Sequence, residues 1–169
     1  MNKNDGVTDE GARRFIEAVG LFFEDAGVPR IGGRLLGLLL LAERPLSLDE
    51  VARTLGVSRA SVSTNSRLLI YAGMIERVGL PGDRRDYYQF RARGWEGSIE
   101  GDIKGTHAFL RIATEALTTL DPANAVARAR LHEAVEFYSF VAEELTAMLE
   151  RWRTRAALSV NGAAPTTSS

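Results

Sequence analysis

The chain has 169 residues, 45% of them hydrophobic, which is enough apolar material for one or two compact units with a true core. It contains no cysteine, so disulfides, thiolate chemistry and cysteine-ligated zinc are excluded, and its longest apolar run, Leu35–Leu41, falls well short of the ~20 residues that cross a bilayer. The net charge of −1 hides an asymmetry: residues 30–93 hold 11 arginines against 6 acidic residues, whereas the remainder holds 10 basic and 16 acidic ones, so the positive charge that a polyanion would meet is concentrated in the middle of the chain.

The N-terminal MNKNDGVTDEGARR is polar and has no apolar core behind its charges, so no secretory leader is expected. Thr8 can cap a helix reaching Ala26, with Asp9 and Glu10 at its positive end. Along it Ala12, Phe15, Ile16, Val19, Phe22, Phe23 and Ala26 recur at helical spacing and form a wide apolar stripe. Such a stripe serves core or dimer packing; the alternative is that Phe22 and Phe23 wall a pocket. Gly27-Val28-Pro29 ends this packing or dimerisation segment, residues 1–29.

Residues 30–42 predict a second helix, almost all leucine after Arg34, in which Gly32, Gly33 and Gly37 permit another backbone to come close. Arg30 and Arg34 share one face, where they brace an acidic partner, contact phosphate or hold an anionic ligand. Ser47 and Glu50 then form the pattern of a capping box ahead of Leu48, Val51, Ala52 and Leu55, and Gly56 supplies a left-handed stop. Ser58 caps another short helix running to Ala72. Two helices so close in sequence must cross steeply. In the second of them Val62, Ser66 and Leu69 fall on one face, and Ala60, Ser63, Thr64 and Arg67 on the other, with Arg59 in the first turn. A short, polar, basic outward face suits base edges in the major groove. Arg59, Ser61, Ser63, Thr64, Asn65 and Arg67 are therefore candidate DNA contacts.

Two strand-forming runs follow, Met74–Val78 and Asp86–Phe90, joined by Gly79-Leu80-Pro81-Gly82-Asp83-Arg84-Arg85. They predict a β-hairpin with Arg84 and Arg85 projecting from its tip toward phosphates or the minor groove. Residues 30–93 thus form one reading unit.

Trp95 leads into a helix reaching Leu120, with an apolar seam of Ile99, Ile103, Leu110, Ala113, Leu117 and Leu120. Gly97, Gly101 and Gly105 recur every fourth residue, and each weakens the helix by ~1 kcal/mol relative to alanine, which predicts a bend or hinge. Asp121-Pro122 predicts the start of a last helix reaching Ala156. Its Leu131, Ala134, Tyr138, Val141, Leu145, Met148 and Trp152 alternate spacings of 3 and 4, a heptad seam. At ~1.5 Å per residue this helix approaches ~50 Å, too long for the rest of the chain to cover. A second copy is the natural cover, with Phe15, Val19, Leu131, Tyr138, Val141, Leu145, Met148 and Trp152 in the interface. Residues 94–157 are accordingly a C-terminal dimerisation region, and 158–169, ending NGAAPTTSS, a disordered tail.

No catalytic or metal-binding constellation is present, so no enzyme, cofactor or metal is expected. His107 and His132 lie on different predicted helices, and Ser58, Ser61 and Ser63 sit in no nucleophile elbow. Glu133, Glu136, Glu143 and Glu144 read as solvated helix faces. Two readings survive: a dimeric binder of double-stranded DNA, and a protein interaction module of the same shape that has no DNA-binding activity. The arginines at 59, 67, 84 and 85 favour the first.

Four segments carry a family resemblance: R-I-G-G-R-L-L-G-L-L (30–39), P-L-S-L-D-E (45–50), L-G-V-S-R-A-S-V-S-T (55–64) and P-G-D-R-R-D-Y-Y (81–88). In this order they resemble the GbsR-like branch of the MarR-type winged-helix regulators. The resemblance implies a mainly α fold with a small β-hairpin wing, a winged helix-turn-helix flanked by N- and C-terminal dimerisation helices. It further implies a cytoplasmic bacterial homodimer that binds a palindromic operator, in most cases as a repressor. A small-molecule effector is implied as well, in this branch a quaternary ammonium compound related to choline or betaine. Such a cation wants an aromatic cage, for which Phe22, Phe23, Trp95 and Phe109 are the candidates. Ser66 departs from the family pattern, which places a branched apolar residue there.

Overall fold

The computed structural model describes residues 9–161, without the side chains of 159–161, and divides after Ser98 into two compact units. The first unit opens with α1 (Glu10–Asp25), capped by Asp9, whose carboxylate accepts the Ala12 N–H at 2.6 Å. Thr8, the expected cap, lies outside the described residues. α1 packs along α2 (Arg30–Leu41), and glycine makes this approach possible: a β-carbon on Gly33 would sit 2.6 Å from the Val19 carbonyl oxygen. The Val19 side chain also lies on α2, 3.4 Å from where a β-carbon of Gly37 would be. Val19, expected in a dimer interface, is half-buried and packs on α2 within its own unit. Of the three roles open to Arg30 and Arg34, the structure has them bracing: they lie 2.9 and 2.7 Å from the Glu17 carboxylate of α1. Arg34 also donates to the Leu55 carbonyl at 3.0 Å.

α3 (Leu48–Leu55) starts at the full capping box of Ser47 and Glu50 and stops at Gly56, whose φ of 65° is left-handed. α4 (Arg59–Tyr71) starts at Ser58, which accepts the Ser61 N–H at 3.1 Å, and Gly73 ends the turn after it with φ 72°. The hairpin is β2 (Ile75–Val78) and β3 (Tyr87–Phe90), paired antiparallel with Ile75 opposite Phe90 and Val78 opposite Tyr87. A third strand, β1 (Leu46–Ser47), pairs with the other edge of β3, giving the order β1-β3-β2. Two residues are too short for a period-2 pattern to reveal. Leu35, Leu36 and Leu38 of α2, Val51 of α3 and Val62 of α4 are fully buried in one core, which Ile75 and Tyr88 close from the sheet. The result is the expected mainly α winged-helix fold.

Where α5 (Gly94–Thr119) begins, backbone meets backbone: a β-carbon on Gly73 would lie 2.7 Å from the Gly97 carbonyl oxygen. Arg93, just ahead of α5, has φ 63°, and its Nε donates to the buried Glu96 carboxylate at 2.6 Å.

In the second unit, α6 is a single helix, Ala125–Asn161, longer than expected at its C-terminal end and later at its start. Asp121 caps a turn instead of the helix, accepting the Ala123 N–H at 2.8 Å, and Asn124 takes over as cap by accepting from Ala127 at 3.3 Å. The first residues of the expected disordered tail, 158–161, are helical, and 162–169 lie outside the described residues. Ala113 of α5 and Ala142 and Leu149 of α6 are buried, and the Phe109 ring lies 4.5 Å from that of Tyr138. α5 therefore half-covers the heptad seam. Leu131, Tyr138, Val141 and Leu145 are half-buried within one chain. The open stripe of α6 joins Phe137 (59% exposed) and Phe140 (60%), which lie beside the seam, to Met148 and Trp152 of the seam itself. Phe15 of α1 is exposed as well.

Candidate nucleic-acid interface

The crossing of α3 and α4 follows from Gly56 and Ser58, and one ion pair spans it: Arg59 Nη1 lies 2.6 Å from Asp49 Oδ1. Arg59 stays largely exposed in the first turn of α4. Ser61 is half-buried and accepts from the Ser58 hydroxyl at 3.0 Å, which ties it to the cap. Thr64 and Arg67 are exposed, and Arg67 Nη2 donates to Ser63 Oγ at 3.2 Å. These side chains share an outward face that is polar and positively charged. Tyr71 continues it one turn further and is 89% exposed, a residue that sequence reasoning did not single out.

Asn65 is corrected. It points inward, 5% exposed, with Nδ2 donating to the Ser61 carbonyl at 2.8 Å, so it cannot reach a base edge from this position. The helical period carries the signal, since Asn65 falls one step from Val62 and Ser66 on the buried face. Ser66 is buried too, and its hydroxyl has no hydrogen bond of normal geometry although it lies beside Tyr88. Burial pushes the Tyr88 hydroxyl above its ordinary pKa.

At the wing tip the two arginines differ. Arg84 is exposed and has no partner among the described residues. Arg85 is clamped: its Nε and Nη2 donate to the Asp83 carboxylate, and Nη2 also donates to Tyr87 Oη at 2.7 Å. Tyr87 Oη in turn donates to Asp83 at 2.7 Å. The Arg85 guanidinium holds the Asp83 carboxyl far below the usual carboxylate range, and Asp83 raises Arg85 and Tyr87 in return. Asp83 and Tyr87 were not anticipated; the only signal was an acidic residue two positions before an arginine.

The four aromatics expected to form a cage fall into three separate ring pairs. Phe22 meets Phe23 edge-on at 5.7 Å, Trp95 lies 5.3 Å from Phe90, and Phe109 pairs with Tyr138. Among the described residues no three side chains are grouped to hold a metal ion, and no helix is long and apolar enough to cross a membrane.

Residues 26–86 match the family model for the MarR family, and residues 93–155 match the model for MmpR5-like MarR family transcriptional regulators. The HTH-type transcriptional regulator MmpR5 of Mycobacterium tuberculosis is 32% identical over 160 residues, covering 92% of this chain and 97% of that protein. The chain belongs to the MarR family of transcriptional regulators. A crystal structure described as a transcriptional regulator superposes on this MarR-family chain with a TM-score of 0.78 at 31% identity, covering 84% of this chain and 97% of the other. The HTH-type transcriptional repressor OpcR of Bacillus subtilis is 28% identical over 82 residues, 48% of this MarR-family chain and 44% of the repressor.

Proposed function

We propose that this MarR-family regulator acts as a homodimeric repressor on a palindromic operator. In this reading residues 30–93 form the reading head, 1–29 and 94–157 serve packing and dimerisation, and the site of action is the bacterial cytoplasm. The observation that carries it is the exposed polar and basic face of α4 flanked by Arg84 of the wing, which is exposed and has no partner among the described residues. Arg59, Ser61, Ser63, Thr64 and Arg67 enter the major groove, joined by Tyr71 at the phosphates, while Arg84 and the clamped Arg85 meet the flanking backbone. Two copies pair through the open stripe of α6, where Phe137, Phe140, Met148 and Trp152 are exposed, together with Phe15.

The test is selection of bound duplexes from a random pool, followed by a salt series. Enrichment of an inverted repeat with half-sites about one helical turn, ~34 Å, apart supports the reading. Failure to enrich, with salt-insensitive behaviour on heparin, overturns it in favour of an interaction module.

A place in the GbsR-like branch rests on the four motifs within residues 30–88. With it comes control by a quaternary ammonium effector, which would act by favouring one spacing of the paired recognition helices over another. Absence of heat on titration with choline and betaine, with no release of the selected duplex, removes this ligand class.

A further inference from the structure

We propose that Asn65 is a positioning residue: it fixes how α4 sits on α2, and through that seating it sets operator discrimination without touching DNA. The inference rests on the operator-binding reading above. The Asn65 side chain is held on one side only, by donation to the Ser61 carbonyl; its Oδ1 is buried with no hydrogen-bond partner. A buried, unpaired acceptor is unfavourable, so its retention needs a reason.

That oxygen faces the first turn of α2, where a β-carbon on Gly32 would lie only 3.1 Å from it. α2 begins after Pro29 with no side-chain cap and no acidic residue in its first turn. That first turn is already partly satisfied, the Gly32 N–H donating to the Pro29 carbonyl at 2.8 Å. The amide oxygen therefore packs against the side of that turn, where only glycine leaves it room. Adjacent glycines divide the work: Gly33 receives the Val19 backbone of α1, and Gly32 receives Asn65.

An apolar side chain of the same size would fill the space but could slide. An amide tied to Ser61 and seated against Gly32 holds one register. Ser63, Thr64 and Arg67 project from the opposite face of the same helix, so a shift of the inner seat moves them by a comparable distance. Hydrogen bonds to base edges lose alignment over such shifts, whereas long arginines keep hold of phosphates.

The experiment uses the full chain. Affinities are measured for the duplex recovered by selection and for a scrambled duplex of equal composition, with the melting temperature of each variant. Asn65→Leu is close to isosteric and removes the orphaned acceptor, so it is expected to melt no lower than wild type. Gly32→Ala crowds the amide from the other side. Both are expected to lower the ratio of selected to scrambled affinity by about ten-fold, the scale of one lost base contact, with scrambled affinity unchanged. An unchanged ratio in folded protein overturns the seating role, as does an equal loss of both affinities in folded protein. Asn65→Ser supplies the same comparison if Asn65→Leu does not fold. Failure of wild type to select any duplex overturns the operator-binding reading, and this proposal with it.

Discussion

Arg85 and Asp83 are locked together at the tip of the wing: Arg85 Nε lies 3.0 Å from both carboxylate oxygens, and Asp83 also accepts the Arg85 backbone N–H at 2.9 Å. The pair spends part of the local positive charge on internal order, so Arg84 and Arg85 do different work. Arg84→Ala is expected to weaken binding to every duplex and to flatten the slope of log affinity against log salt by ~1. Asp83→Asn keeps the shape but releases Arg85, so affinity for scrambled DNA should rise and its salt slope steepen. Filter binding across a salt series measures both; slopes unchanged in both variants would remove the wing from the interface.

Changes on the outer face of α4 should act differently. Arg67→Ala, Ser63→Ala and Thr64→Ala are expected to alter sequence preference, each lost base contact being worth ~1–3 kcal/mol against the matched base pair. Competition between selected and singly substituted duplexes shows this directly, and a uniform loss across all duplexes would assign these side chains to the phosphates instead.

The capping box gives a pH dependence. Donation from Arg44 and from Ser47 holds Glu50 down from 4.5 to about 2 in the folded chain. A folded value below the unfolded one means the contribution is fully present above pH 4.5 and fades as the pH falls toward 2. Glu50→Gln should therefore lower stability at neutral pH by ~1 kcal/mol, the scale of a lost cap. Its difference from wild type should shrink on acidification; denaturant titrations at neutral and acid pH, with a difference constant across them, would contradict the assignment.

Phe137 and Phe140 are more than half exposed on α6, whereas Leu145 of the same helix is half-buried. Phe137→Glu and Phe140→Glu together should leave each chain folded and shift sedimentation from dimer to monomer at micromolar concentration. Leu145→Asp should impair folding itself, because the charge enters a seam already packed within the chain. A double variant that remains dimeric would exclude the open stripe from the interface.

The helix-turn-helix was legible because its signals are local. Ser47, Glu50, Gly56 and Ser58 act on backbone groups three or four residues away, and each sits where the pattern expects it. β1 was not legible, because its pairing with β3 joins residues some forty positions apart. On α6, periodicity identifies an apolar face but not which neighbour takes it, and α5 packs on part of it within the chain. At the interface, charge pointed to Arg84 and Arg85 alike, since composition does not say which arginine an aspartate will hold. Asn65 was misassigned on residue type although its helical phase already placed it inward.

The contact between Gly73 and Gly97 has a mechanical consequence. Side chains absorb small displacements by turning about their χ angles, but a peptide unit resting on a peptide unit has no such slack. The end of α4 and the first turn of α5 therefore meet as a bearing surface, not as a spring. Even a single methyl group inserted there would hold the two apart.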